Sequence, residues 1–211
     1  GAIATTALVP GTSPGEQWEV LLDGLSRFAG RRLALHDEVY ASASATNHRT
    51  HSIARLLLDF GRLAGEDPDA TADLYTRQSC LAVTARDLAV MGATLADGGV
   101  NPLTRERVID ADTCRHTLAV MATAGLYETS GDWLYDVGLP AKSGIGGGIV
   151  TAAPGKGGLG TYAPLLDGAG NSVRGQRTAR FLSHALGLNL FVSQPDELAD
   201  EQADERAEPV A

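Results

Sequence analysis

Between residues 18 and 28 the apolar side chains fall at Trp18, Leu21, Leu22, Leu25 and Phe28, a three-and-four spacing that keeps one face of an α-helix apolar. Its flanks mark where it starts and stops. Ser13 stands as N-cap, Pro14 suits the first turn because its missing N–H would be unpaired there anyway, Glu16 takes the capping-box position, and Gly30 ends the run. The rhythm returns over 50–65, where Ile53, Leu56, Leu57 and Phe60 share a face and predict a helix buried on that side. Residues 69–80 predict another. Residues 84–99 predict a further one, capped by Thr84 with Asp87 three on and ended by Gly98 and Gly99, and 110–125 one capped by Asp110 and closed by Gly125. Between these, 33–49 is rich in Ser and Ala without apolar periodicity and reads as loop with one short strand. Residues 101–108 read as a turn-rich small hairpin.

After Gly125 the period changes. Residues 148–166 read as two strands joined by the glycine turn 154–158, 167–175 as a turn, and 176–190 as a closing amphipathic helix. Many helices, then a short antiparallel sheet, then a covering helix describe an α+β protein with segregated layers, not a doubly wound parallel sheet. Two strands make a poor sheet alone. The chain also opens on Gly1, inside what looks like the interior of an element, so it reads as a fragment whose N-terminal part holds the sheet's other partners.

Composition changes this picture only in places. Of 211 residues, 44% are hydrophobic and 20% charged, the balance of a packed domain rather than a disordered chain. A net charge of −9 argues against a nucleic-acid partner and against an anionic membrane, both of which call for a basic face. Residues 193–211, acidic and alanine-rich, read as a disordered tail after a single domain over 1–192. No apolar run reaches the length of a membrane span and no signal peptide opens the chain. Cys80 and Cys114 sit in helix-like apolar surroundings without metal-ligand spacing, as buried thiols of a reducing cytoplasm do. His48 and His51, three apart with no third ligand nearby, read as solvent-facing or satisfied histidines. Neither a metal nor a cofactor is expected.

Two glycine-rich stretches invite a phosphate-binding reading, and neither sustains it. A Walker loop needs Gly directly before Lys-Ser, whereas Lys142 follows Ala141, and Asp136 holds the earlier glycine position. Gly155, Gly157 and Gly160 satisfy G-x-G-x-x-G, but the chain beyond Gly160 continues as a strand, so a hairpin turn accounts for them. Lys142-Ser143-Gly144 is different. A lysine at a strand start, then a small hydroxyl residue and Gly, is similar to the third motif of the penicillin-recognising serine hydrolases. There the strand edges the substrate cleft, and glycine lets substrate lie against bare backbone whose N–H groups can donate to an oxyanion. A surface lysine beside a glycine-rich turn fits these three residues equally well.

The surroundings separate the two. GLPAKSGIGGGI, with AGLYETSG before it, resembles the glutaminase family of β-lactamase-like serine amidohydrolases, as do LYTRQSCLAVTARDLAVMGATLADGGVNPLTRERV, LDGAGNSVRG and the opening GAIATTALV. The resemblance runs from Gly1 to the last helix. It implies a serine β-lactamase/DD-peptidase-like fold, a helical subdomain plus an antiparallel sheet with covering helices. It implies an enzyme that hydrolyses L-glutamine to L-glutamate and ammonia as a homodimer or homotetramer at full length. In that family a Ser-x-x-Lys serine attacks the side-chain amide. By motif, Tyr127 falls on the tyrosine beside the nucleophile, where a phenol can relay a proton, and Tyr75 on a substrate-contacting tyrosine. Ile145, valine in most of the family, falls where the backbone supports the substrate amide and oxyanion. Lys142 and Ser143 belong to the same wall.

Two departures qualify the resemblance. The Ser-x-x-Lys motif belongs upstream of Gly1, so this chain alone is expected to be inactive. In the segment YASASATNHRTHSIA, the family's glutamate and asparagine for the amino-acid end of glutamine are Ala43 and Thr50. Losing a carboxylate that pairs with an α-ammonium costs about 1.5–3 kcal/mol. An inactive pseudoenzyme serving as an interaction module is therefore the competing expectation.

Overall fold

A computed structural model describes residues 1–65 and 67–193; the acidic tail, Ser193 apart, lies outside the described residues. A helical layer comes first: α1 (Ala2–Thr6), α2 (Pro14–Ala29), α3 (Asp37–Thr46), α4 (His48–Asp59) and α5 (Pro68–Ser79). Two short strands, β1 (Ala34–Leu35) and β2 (Leu81–Ala82), pair antiparallel and tie the ends of α2 and α5 together. Next come α6 (Ala85–Ala96), α7 (Ala111–Ala124) and α8 (Ser130–Val137). The antiparallel sheet of β3 (Ala141–Ser143), β4 (Gly148–Ala153) and β5 (Gly157–Tyr162) comes after them, and α9 (Val173–Ala185) closes the described fold.

The sheet has a core on each face, as the period-two alternation of β4 requires. Ile149 and Ala153 point one way, into a cluster with Leu126, Trp133, Val137, Leu139, Ala141 and Ala179. Val150 and Ala152 point the other way, toward Leu95, Cys114 and Met121 of α6 and α7. Leu126, Leu139 and Ile149 are almost wholly buried, each worth about 1.5–3 kcal/mol of transfer energy. Two smaller cores hold the helical layer: Ile3, Ala54, Leu63 and Ala72, and Leu22, Ala29 and Leu33, the latter reaching Met91 of α6. Both cysteines are free and buried.

Most expected elements stand, several with corrections. Residues 37–46, expected as loop, form α3. The helix buries no side chain, which is why no apolar stripe announces it. Its alanines favour helix, Asp37 and Glu38 suit the positive N-terminal dipole, and Tyr40 Oη docks it on α5 by donating to Asp73 at 2.5 Å. Of the face expected for α4, Leu57 packs in the core, but Ile53, Leu56 and Phe60 are exposed. Ala54 is fully buried with Leu57 and Leu58 beside it. The small Ala54 lets α4 lie close to its neighbours, and both stripes satisfy the three-and-four spacing. Ser13 caps α2 by accepting from Glu16 N, but the Glu16 carboxylate accepts from Thr12 N and Oγ1 rather than completing a box with Ser13. Residues 173–175, placed in a turn, are already helical, because Ser172 caps α9 by accepting from Gly175 N. The helix α8 and the strand pair β1–β2 as a sheet were not expected.

Candidate active site

β3 pairs with β4 so that Lys142 stands opposite Val150 and Ser143 opposite Ile149. Lys142 therefore shares the face of the sheet on which α6 packs, while Ala141 and Ser143 turn into the core. Beyond β3 a glycine turn reverses the chain, closed by Gly144 N donating to Gly148 O and Gly147 N to Gly144 O, both at 2.9 Å. Those two N–H groups are used within the turn. Among the described residues, none accepts from the N–H of Ile145, whose side chain is 76% exposed at its tip.

Tyr127 meets this strand from the turn between α7 and α8. Lys142 Nζ lies 4.7 Å from the centroid of the Tyr127 ring and donates to the carbonyl oxygen of Ser143. Although the lysine side chain as a whole is exposed, its ammonium is hemmed in here, and that lost solvation pushes its pKa below that of an ordinary lysine. Tyr127 has φ +54°, a left-handed conformation that costs a bulky residue roughly 1–3 kcal/mol. Ser130 holds it there: its Oγ donates to Tyr127 O at 2.8 Å and accepts from Leu126 N at 3.0 Å, bracketing the strained residue. The loop before α9 brings Gly170 to the same place. A Cβ on Gly170 would stand 3.6 Å from Ile145 Cγ2 and 3.8 Å from Tyr127 Cε2.

Of the residues singled out in the sequence, Tyr127, Lys142 and Ile145 thus converge on one exposed face. Ser143 sits directly behind it. Its Oγ is buried and donates to Asn171 Oδ1 at 2.5 Å, so the hydroxyl is aimed away from the face it was expected to line. Tyr75, half-buried on α5, packs against the helical cluster of Ile3, Ala54, Leu63 and Ala72. Ala43 and Thr50 are half-buried on α3 and α4; between them Asn47 Nδ2 donates to Thr76 Oγ1 of α5 at 2.8 Å. Sequence reasoning missed Thr129, Ser130, Gly170 and Asn171. The Asp-Gly-Ala-Gly-Asn-Ser composition marked a turn, but not the polar side chain it buries.

His51 Nδ1 lies 2.7 Å from Asp69 Oδ1, a satisfied histidine as expected. Among the described residues, no group of His, Cys, Asp and Glu is placed to hold a metal ion, and no helix is long and apolar enough to cross a membrane.

The profile of the Glutaminase family matches residues 1–191. Glutaminase 2 of Yersinia pestis is 70% identical over 195 residues, covering 92% of this chain and 57% of that protein. The glutaminase of Mycobacterium ulcerans is 48% identical over 191 residues, covering 90% of this chain and 59% of that one. Among solved structures, the probable glutaminase ybaS superposes with a TM-score of 0.88 at 45% identity, over 91% of this chain and 62% of its own. The Bacillus subtilis glutaminase YbgJ, solved as a covalent complex with 5-oxo-L-norleucine formed by reaction with 6-diazo-5-oxo-L-norleucine, gives 0.85 at 33% identity over 90% and 67%. The chain spans 57% to 59% of the length of these two curated relatives. Sequence and fold agree: this chain belongs to the glutaminase family and has its serine β-lactamase-like fold.

Proposed function

We propose that this chain forms the substrate-facing wall of a glutaminase that hydrolyses L-glutamine to L-glutamate and ammonia. Its serine nucleophile would come from the portion of the relatives that this chain does not span. The observation that carries the reading is the meeting of Tyr127, Lys142 and Ile145 on one exposed face of the sheet edge. Serine Oγ attacks the δ-amide carbon, the serine proton passes to the amide nitrogen, the C–N bond breaks to release ammonia, and water hydrolyses the resulting ester, giving glutamate and returning a proton to the serine. Tyr127 stands where its phenol can hold or pass that proton. Lys142 packs against the ring, and its ammonium biases the field around the phenol. The N–H of Ile145, without an acceptor among the described residues, is a donor for the oxyanion. Ser143 supports this wall from behind, and Tyr75 serves the substrate from the helical layer. YbgJ's covalent capture of a diazoketone analogue of glutamine fits a nucleophilic enzyme. The buried free thiols suit a reducing cytoplasm, and assembly as a homodimer or homotetramer belongs to the same reading.

The test joins this chain to the corresponding N-terminal segment of the Yersinia protein. The extended protein is expected to release ammonia from millimolar glutamine and to gain one 5-oxo-L-norleucine adduct by mass spectrometry. A cooperatively melting extended protein that does neither would sink the proposal. Ala43 and Thr50 favour the second reading, a pseudoenzyme, since neither supplies a carboxylate for an α-ammonium. Under that reading the extended protein binds no glutamine by calorimetry; measurable binding, strengthened by Ala43→Glu, counts against it.

A further inference from the structure

Asn171 is fully buried, and its amide uses both ends. Oδ1 accepts from Ser143 Oγ at 2.5 Å, while Nδ2 donates to Thr129 Oγ1 at 2.9 Å and reaches Leu126 O at 3.4 Å. Its backbone is fixed as well, because Asn171 N donates to Asp167 Oδ1 at 2.9 Å and Asn171 O accepts from Asp167 N at 2.8 Å. One side chain thereby joins three segments distant in sequence. The turn 126–130 presents Tyr127, β3 presents Lys142, and the loop 167–171 presents Gly170 beneath Ile145 and Tyr127.

We infer that Asn171 is a positioning residue for the reaction, its amide clamping the turn that carries Tyr127 to the strand that carries Lys142. The inference rests on the proposed glutaminase reading. Tyr127 sits in a strained left-handed conformation that Ser130 brackets from within the turn; Asn171 anchors that turn from outside, and without the anchor the turn shifts and the phenol swings from its place over Lys142. The amide suits the task because it donates and accepts at once. Thr129 Oγ1 already donates to Leu126 O at 2.9 Å, which leaves it only as an acceptor toward residue 171. A carboxylate at 171 would find no donor on that side. A leucine of similar size would leave both hydroxyls without their partner.

Asn171→Ala removes a wholly buried polar group and can unfold the protein, so the clamp is better cut at its far end. Thr129→Val keeps the shape and removes both the acceptor for Asn171 and the hydroxyl's own bond to Leu126 O; Thr129→Ser keeps both. In the extended protein, Thr129→Val is expected to lower kcat by about tenfold or more with KM changed by less than about twofold, and Thr129→Ser to restore it. In a Tyr127→Phe background, Thr129→Val is expected to add no further loss, because its effect passes through the phenol. A folded Thr129→Val protein with parental kcat, or an undiminished loss in the Tyr127→Phe background, would overturn the inference. A second readout does not depend on activity. With 3-fluorotyrosine incorporated, the ¹⁹F resonance that Tyr127→Phe removes should be single and narrow in the parent and in Thr129→Ser, and shifted or split in Thr129→Val. An unchanged resonance would overturn the clamp even in an inactive protein. An inactive parent that shows the expected spectra would sink only the glutaminase reading.

Discussion

Asp87 receives four hydrogen bonds: Arg31 Nε on Oδ1 and Arg31 Nη2 on Oδ2, each at 2.7 Å, and Thr84 N and Oγ1 on Oδ2 at 2.7 and 2.8 Å. With its side chain 6% exposed, it is both the partner of a forked arginine and the N3 member of the α6 capping box. Arg31 first, and then Thr84, holds its pKa at about 2 against an ordinary 3.8. A depressed carboxylate stabilises the fold above its unfolded pKa, and that stability is lost as pH falls through the folded value. The extended protein should therefore lose about 2 kcal/mol through this one group between pH 5 and pH 2, and somewhat less at high salt because Arg31 is half exposed. Asp87→Asn should flatten that part of the urea-stability profile and cost about 1–3 kcal/mol at pH 7. An unchanged acid limb would refute the assignment. This residue was legible, since Thr-x-x-Asp before an apolar run is a helix start. Ser143 was legible only in part. Lys-Ser-Gly marked the wall, but the side to which the hydroxyl points depends on Asn171, 28 residues further on.

The contact between α6 and the β4–β5 face is made by missing side chains. Gly158 and Gly160 lie against the backbone of Ala85, Ala89 and Ala93, and a Cβ on Gly92 would stand 2.5 Å from Thr151 O. The glycines that spell a dinucleotide-binding motif in the sequence thus have packing and turn roles instead. Gly155 supplies the φ +71° of the hairpin turn, nothing lies within 4 Å of a Cβ at Gly157, and Gly160, together with Gly158 outside the motif, brings helix and strand to backbone contact. Gly158→Ala would place a methyl on the main chain of Ala89 and Ala93, with no flexible side chain to give way. Its expected cost is about 1–3 kcal/mol or more in urea denaturation. Gly168→Ala, where nothing lies within 4 Å, should stay within about 0.5 kcal/mol. Equal effects at the two positions would contradict the packing. At this scale the sequence failed where the period was ambiguous or absent. The two possible stripes of α4 differ by one position, and only Ala54's close approach to its neighbours decides between them. Helix α3 has no buried stripe to read, so its existence depends on docking through Tyr40 and Asn47.

Across the whole molecule, helices first and strands after were enough to indicate segregated layers, whereas how each sheet face is covered emerged only from the tertiary contacts. The same three-stranded sheet gives the last prediction. β5 pairs with β4 along its full length, from Gly157 opposite Ala153 to Tyr162 opposite Gly148, and among the described residues no strand pairs with its other side. An edge of six residues with no bulge or proline is a template for pairing with another chain. Nearby, α9 and the segment after it expose Phe181, Leu186 and Phe191, each more than 60% accessible. The 211-residue chain on its own is therefore expected to elute as a broad, concentration-dependent association, to bind a hydrophobic dye, and to melt without a sharp transition. The extended protein should melt cooperatively and leave the dye dark. Lys substituted at Leu159, half-buried on β5, tests the edge against the core, because a charge there disfavours pairing but also loses apolar contact with the Trp133 cluster. Lys at Phe181 touches only the exposed face of α9 and should reduce association without lowering stability. A monomeric 211-residue chain with a sharp melt would show that the edge and the α9 face are tolerated in water.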